Sequence, residues 1–169
     1  MKDQIHLEKE FFSKEECARV VEYAKKYSSL FQFHQNNEFS IHTYNEFLDK
    51  EVLSLLEKNS MRVYDYVWDN YPGPFVEWNR FKIHVAKFEE GPGMHEHFDS
   101  SRPNDIATLV YLNDEYVGGE IYFPHLDVYI KPEPGDLLTF PDNPNFIHGV
   151  KPITSGTRFT APQWYTRIV

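Results

Sequence analysis

The sequence predicts a mainly β domain with N-terminal helices and a jelly-roll core. Three observations carry that reading. Helical periodicity is confined to the first 70 residues, the pattern switches to period two after Pro74, and seven or eight short β-rich runs follow, most of them separated by Gly or Pro. At 169 residues the chain has the size of one domain. It is read as a single unit over 1–169, with a helical buttress over about 1–74 and a β-core over about 75–169.

The first element is a helix over 14–28. Ser13 and Glu16 form an S-x-x-E capping box, and Cys17, Val20, Val21, Ala24 and Tyr27 recur at helical spacing behind it. The aromatic but aperiodic stretch 31–44 is read as irregular chain or short strands. A second helix should run from about Glu46 to Asn70, with Val52, Leu55, Leu56, Val63, Val67 and Trp68 facing inward. Pro72-Gly73-Pro74 ends it, because proline neither donates a backbone hydrogen bond nor fits a helix interior. Phe81, Ile83 and Val85 then alternate with Lys82, His84 and Ala86, the mark of a half-buried strand. Further strands are expected at 107–112, 120–123, 128–130, 137–140, 147–150 and 158–165.

Composition excludes several classes. Phe, Tyr and Trp supply 17% of the residues, too many for a disordered chain. The single cysteine, Cys17, rules out an intrachain disulfide. A net charge of −9 opposes broad phosphate binding, so no nucleic-acid partner is expected. No apolar run approaches the ~18 residues of a membrane span, and no apolar leader opens the chain. A soluble, cytoplasmic protein without a membrane partner is the expectation.

The chemistry lies in the histidines. His97-Phe98-Asp99 places two donors at i and i+2, on one face of a strand or its end, and His148 follows 51 residues later in another strand-like run. Two imidazoles and one carboxylate on one side of a metal leave the opposite positions open, which suits Fe(II) oxygenases. A lone H-x-D is ordinary; His125-Leu126-Asp127 is a second and falls where a loop is expected. Arg158, 10 residues after His148, adds a planar fork that grips carboxylates. A metal plus a buried arginine describes a pocket for a diacid whose other end chelates the metal, and 2-oxoglutarate is such a diacid.

These residues sit in segments that resemble the 2-oxoglutarate- and Fe(II)-dependent dioxygenases, specifically the prolyl 4-hydroxylase-like branch. FFSKEECARVVEYAKK is similar to that branch's entry helix. KFEEGPGMHEHFD, TLVYLNDEYVGGEIYFP, PEPGDLLTFPD and FIHGVKPITSGTRFTAPQWY follow in its order. The resemblance implies a double-stranded β-helix, with His97, Asp99 and His148 as iron ligands. It implies that Arg158 and Tyr111 hold the distal carboxylate of 2-oxoglutarate and that Trp164 lines the pocket. The implied cofactors are Fe(II), 2-oxoglutarate and O2, with ascorbate as an optional reductant. The implied reaction hydroxylates an unactivated C–H, with succinate and CO2 as coproducts.

Departures from the branch bear on the substrate. Arg158 stands where collagen-type members usually carry Lys, and Met94 replaces a tyrosine three residues before the H-x-D pair. Arg102 is the nearest counterpart of a peptide-contacting arginine but is out of register. A peptidyl proline is the favoured substrate, and a free amino acid or other small molecule is the alternative. A cupin-type site using His95-x-His97, a nucleic-acid demethylase and a non-catalytic jelly-roll binding module are the other readings. The loop 100–105 and the segment 31–44 are the expected lids.

Overall fold

The computed structural model describes residues 1–34, 39–43, 46–73, 75–76, 83–99 and 105–167. Helix α1 (Lys14–Lys26) begins at the capping box: Ser13 Oγ accepts the Glu16 N–H at 3.1 Å, and Glu16 Oε2 accepts the Ser13 N–H at 2.8 Å. It stops two residues before the expected end, where Tyr27 leaves helical geometry and its ring packs 4.7 Å from that of Tyr23. Helix α2 (Lys50–Asn70) starts at Asp49 and not near Glu46. The Asp49 carboxylate takes the N–H groups of Glu51 and Val52, at 2.9 and 3.1 Å, which fixes the N-cap there. Val52, Leu56, Val63 and Val67 face inward, whereas Trp68 is 48% exposed. One residue past Val67 is a rotation of about 100°, which carries Trp68 off the buried stripe. Neither described helix is long and apolar enough to cross a membrane.

The strands form two facing antiparallel sheets. The larger runs β1 (His6–Glu8), β11 (Leu137–Asp142), β7 (Asp105–Tyr111), β14 (Arg158–Arg167), β5 (His84–Phe88), β3 (Phe39–Thr43) and β2 (Gln32–His34), with β4 (Phe75–Val76) paired to the end of β14. The smaller runs β10 (Val128–Ile130), β9 (Ile121–Phe123), β12 (His148–Val150) and β6 (Met94–His97). A separate ribbon pairs β13 (Ile153–Gly156) with β8 (Tyr116–Gly118). This is the jelly-roll layout. Strands β1, β8 and β13 escape a sequence reading because three or four residues show no usable period, and β8 and β13 each end on a glycine. The stretch 31–44 contributes β2 and β3, and its residues 35–38 and 44 lie outside the described ones. So do Phe81 and Lys82 of the expected strand, which is seen from His84.

Strand parity decides which face each side chain serves. Val85, Ile106, Val110, Leu137, Phe159 and Tyr165 turn outward and pack with α1 and α2. Their alternates turn into the space between the sheets: Ala107, Leu138 and Phe140 meet Ile121 and Phe123, and Ala86 and Phe88 meet Met94 and Val150. The strand expected to be half-buried is therefore buried on both faces, helices on one side and the second sheet on the other. Pro162, inside β14, is tolerated because β5 pairs β14 only through Thr160, so a missing N–H there breaks no described rung.

Gly93 controls how β6 enters the small sheet. Its φ is +80°, and a Cβ there would stand 2.2 Å from the Val150 carbonyl oxygen on β12. Gly93→Ala is expected to cost more than about 1 kcal/mol, seen as a lower denaturation midpoint, because both backbone angle and strand spacing are violated.

Candidate active site

Antiparallel register sets His148 of β12 directly opposite His97 of β6, with ring centroids 4.6 Å apart. Asp99 follows two residues after the strand ends. One donor atom from each of the three lies within 4.8 Å of the others. Asp99 Oδ1 is 3.2 Å from His97 Nε2, and its Oδ2 is 3.8 Å from His148 Nε2. Each imidazole is also held from behind: His97 Nδ1 donates to the His95 carbonyl at 2.8 Å, and His148 Nδ1 to the Phe146 carbonyl at 3.1 Å. A carbonyl only accepts, so Nδ1 carries the proton and the Nε2 lone pairs point to the common centre. Two nitrogens and one carboxylate on one side are a donor set that fits Fe(II) and leaves coordination positions open.

Asp99 is fixed by two further contacts that the sequence did not reveal. Trp164 on β14 donates its indole N–H to Asp99 Oδ2 at 2.9 Å, and Asp142 on β11 accepts the Asp99 backbone N–H at 2.9 Å. Trp164, expected as a wall of the cosubstrate pocket, thus touches the carboxylate itself; its other face stacks on His84. Burial pushes His148 down to about 4, against the Asp99 charge, so it is neutral and ready to ligate at pH 7. Burial is the largest single influence on His97 and Asp99 and works against their charged forms, but their mutual hydrogen bond, their mutual charge attraction and the neighbouring groups together outweigh it, raising His97 and lowering Asp99. Asp142 is pushed up to about 7 by its burial and by the neighbouring Asp99 charge.

The second H-x-D pair takes no part. His125 lies in a one-turn 3-10 segment (Pro124–Leu126), and Asp127 caps it in left-handed geometry with φ 49°. Among the described residues, the group able to hold a metal is His97, Asp99 and His148. His95 is not in it, so an H-x-H site of the cupin kind is not formed. Arg102 and most of the loop 100–105 lie outside the described residues.

Arg158 lies on the face of β14 that looks between the sheets, and it is 0% exposed. Its guanidinium is held between the rings of Phe88 and Tyr111, 4.8 and 5.0 Å from their centroids, and Nη2 donates to the Tyr111 hydroxyl at 3.1 Å. Nε and Nη1 have no partner among the described residues. No carboxylate among the described residues pairs with it. A buried cation with orphaned donors is a fit for an anionic ligand group, as the distal carboxylate of 2-oxoglutarate requires. Thr160, two residues on along the same face, is 1% exposed and its Oγ1 is also orphaned. Strand parity, i to i+2 from Arg158, is the signal in the sequence that places it there.

The motifs around Arg158 now have physical roles. Asn113 of the Tyr-Leu-Asn-Asp run reaches β14, donating to the Thr157 carbonyl at 2.7 Å and accepting the Phe159 N–H at 2.8 Å. It therefore clamps the backbone on both sides of Arg158. The Pro-Gly-Asp turn does the same for Tyr111: its N–H donates to the Asp136 carbonyl at 3.0 Å, and its carbonyl accepts the Gly135 N–H at 2.8 Å. Met94 is a buried side chain in the same cluster as Phe88 and Tyr116 and brings no hydroxyl.

Comparison with known proteins agrees with this geometry. Residues 83–166 match the sequence model of the 2OG-Fe(II) oxygenase superfamily. A candidate prolyl 4-hydroxylase of Acanthamoeba polyphaga mimivirus is 26% identical in an alignment 153 residues long, with 69% of this chain and 63% of that protein covered. Human prolyl 3-hydroxylase 2 is 36% identical over 67 residues, 37% of this chain and 10% of that protein. The chain thus spans less than two thirds of the length of these relatives. Among solved structures, a Trichoplax adhaerens prolyl hydroxylase in complex with a hypoxia inducible factor peptide fragment superposes with a TM-score of 0.80 at 19% identity, over 98% of this chain and 84% of that one. The 2OG complex of a collagen prolyl hydroxylase from Paramecium Bursaria Chlorella virus-1 gives 0.73 at 21% identity, over 98% and 97%. At such identities the likeness establishes a shared fold.

Two outcomes are expected. His97→Ala or Asp99→Ala should abolish metal binding in a calorimetric titration, while His125→Ala should leave it intact. Metal affinity should also fall as pH drops through the raised His97 pKa, because the proton then competes for Nε2; above that range affinity should level off.

Proposed function

Because the chain belongs to the 2OG-Fe(II) oxygenase superfamily, we propose that it hydroxylates a proline residue within a peptide or protein substrate. The observation that carries the cosubstrate half of this reading is Arg158, a cation buried without a counter-anion among the described residues, in the same inter-sheet space as a His-Asp-His donor set. His97, Asp99 and His148 would hold the iron, and Arg158 and Tyr111 would hold the far carboxylate of 2-oxoglutarate. When bound, iron and 2-oxoglutarate supply the oxidising chemistry that the protein's own side chains lack, consuming O2 and leaving succinate and CO2.

The protein's part is positioning. The carbonyls of His95 and Phe146 set both imidazole tautomers, and Trp164 and Asp142 hold Asp99 against rotation. Arg158 and Tyr111 orient the diacid from its non-reacting end, so its rotational freedom is lost on binding and not during reaction. Phe123 and Phe140, whose centroids lie 5.9 and 4.8 Å from that of His148, keep water from that side of the centre. The peptidyl-proline reading draws its support from the relatives, which include prolyl 3- and 4-hydroxylases, and from the peptide held by the Trichoplax neighbour.

Two experiments test this. Incubation with Fe(II), 2-oxoglutarate and proline-containing peptides should give a +16 Da product whose hydrolysate contains 4-hydroxyproline, with free proline turning over poorly. Remote peptide contacts supply binding energy that a truncated substrate lacks. Equal turnover of free proline would transfer the activity to a small-molecule hydroxylase. Separately, Arg158→Ala should cost about 2–5 kcal/mol of 2-oxoglutarate binding, a loss of roughly 30- to several-thousand-fold. Arg158→Lys should lose less, since it keeps the charge and gives up only the fork.

A further inference from the structure

Tyr116, on the short strand β8, carries a hydroxyl that its surroundings do not use. The residue is 5% exposed, and among the described residues its hydroxyl has no well-formed hydrogen bond. The ring packs in the inter-sheet cluster with Phe88, Met94, Val150 and Ile153. Phe88 is the ring that lies against the Arg158 guanidinium, so Tyr116 borders the same enclosed space. Its hydroxyl faces that guanidinium without a well-formed bond to it. Burial pushes the hydroxyl up to about 12, while Arg158 pulls the other way. At neutral pH it is therefore a protonated donor.

The backbone around Tyr116 is built to keep the ring there. Lys131 donates to the Tyr116 carbonyl at 3.2 Å and covers the ring at 5.0 Å from its centroid. Gly119 has φ +69°, and a Cβ there would press on the Tyr116 ring at 3.0 Å. The second glycine of the Gly-Gly-Glu turn thus makes the space in which the ring sits. A phenylalanine would fill that space equally well. A hydroxyl buried without a partner is destabilising unless a bound group satisfies it, and Arg158 Nε and Nη1 are left in the same condition.

We propose that Tyr116 is a third anchor for the distal carboxylate of 2-oxoglutarate, its hydroxyl donating to that carboxylate beside Arg158 and Tyr111. The assignment rests on the cosubstrate reading above and extends it to a residue on the β8 ribbon. A carboxylate offers about four lone-pair directions, so three donors from β14, β7 and β8 do not compete.

The test compares wild type and Tyr116→Phe, both loaded anaerobically with Fe(II), in calorimetric titrations with two ligands. One is 2-oxoglutarate. The other is 2-oxopentanoate, which keeps the chelating end and ends in a methyl group. Loss of a hydrogen bond to a charged group should weaken 2-oxoglutarate binding by about 10- to 100-fold and leave 2-oxopentanoate binding unchanged. Melting temperatures without ligand should agree, since packing is preserved. Equal 2-oxoglutarate affinity in the two proteins would overturn the assignment. So would a parallel loss for both ligands, which would mark Tyr116 as structural. If wild type itself does not bind 2-oxoglutarate, the cosubstrate reading fails instead, and the two failures are distinguishable.

Discussion

The fully buried guanidinium of Arg158 is the constraint around which the large sheet is organised. Taking such a cation out of water costs several kcal/mol even after relaxation, and the chain supplies no carboxylate to offset it among the described residues. What it supplies is geometry. Two aromatic rings sandwich the cation, Asn113 pins the backbone on both sides of it, and the Pro-Gly-Asp turn pins the tyrosine that takes one of its N–H groups. Asp136 of that turn is itself buried and is held by Lys9 and by the backbone N–H groups of Glu10 and Glu133. The helices contribute by closing the opposite face of the same strands, where Phe159 and Val110 alternate with Arg158 and Tyr111.

The two ends of the site stand on different sheets. His97 and His148 belong to the small sheet, whereas Arg158 and Tyr111 belong to the large one. Their separation is therefore an inter-sheet distance, about 10 Å in packed sheets, set by side chains such as Phe123 and Phe140 that also touch His148. Asp99 is the member that crosses. It sits at the end of β6, yet both of its tethers, Trp164 and Asp142, come from the large sheet. A shift of one sheet against the other would move the carboxylate relative to the imidazoles. Packing between the sheets is thus transmitted to the donor geometry without any long-range device.

This division explains what the sequence could reveal. The switch from period 3.6 to period two, the capping box and the Gly/Pro punctuation made the architecture legible, because each is a local property. The H-x-D pair was legible for the same reason: two residues apart at a strand end is a local geometry. His148 and Arg158 became readable through motif order and resemblance. Trp164 against Asp99, Asp142 against the Asp99 backbone, and Tyr116 near Arg158 span 65, 43 and 42 positions. They depend on register between strands that no local pattern fixes. Asp49 displaced Glu46 as the start of α2 because a carboxylate with two N–H partners outcompetes helix propensity alone.

On the proposed cosubstrate reading, the use of hydroxyls beside Arg158 follows from charge. Asp99 brings one negative charge, a divalent iron two positive ones, and Arg158 one more; two neutral histidines bring none. The remaining surplus is two positive charges, which the dianion of 2-oxoglutarate neutralises. A carboxylate beside Arg158 would stabilise the empty pocket but would consume one of those charges and repel the ligand. Tyrosine avoids both effects, because a hydroxyl can accept from a guanidinium and donate to a carboxylate without carrying charge. Asp142 fits the same count. Its pKa is raised to about 7 by burial and by the Asp99 charge, so near neutrality it carries only part of a negative charge while its Oδ1 still accepts the Asp99 N–H. On this count the site keeps most of its net charge for the ligand, and the groups that hold it are largely neutral.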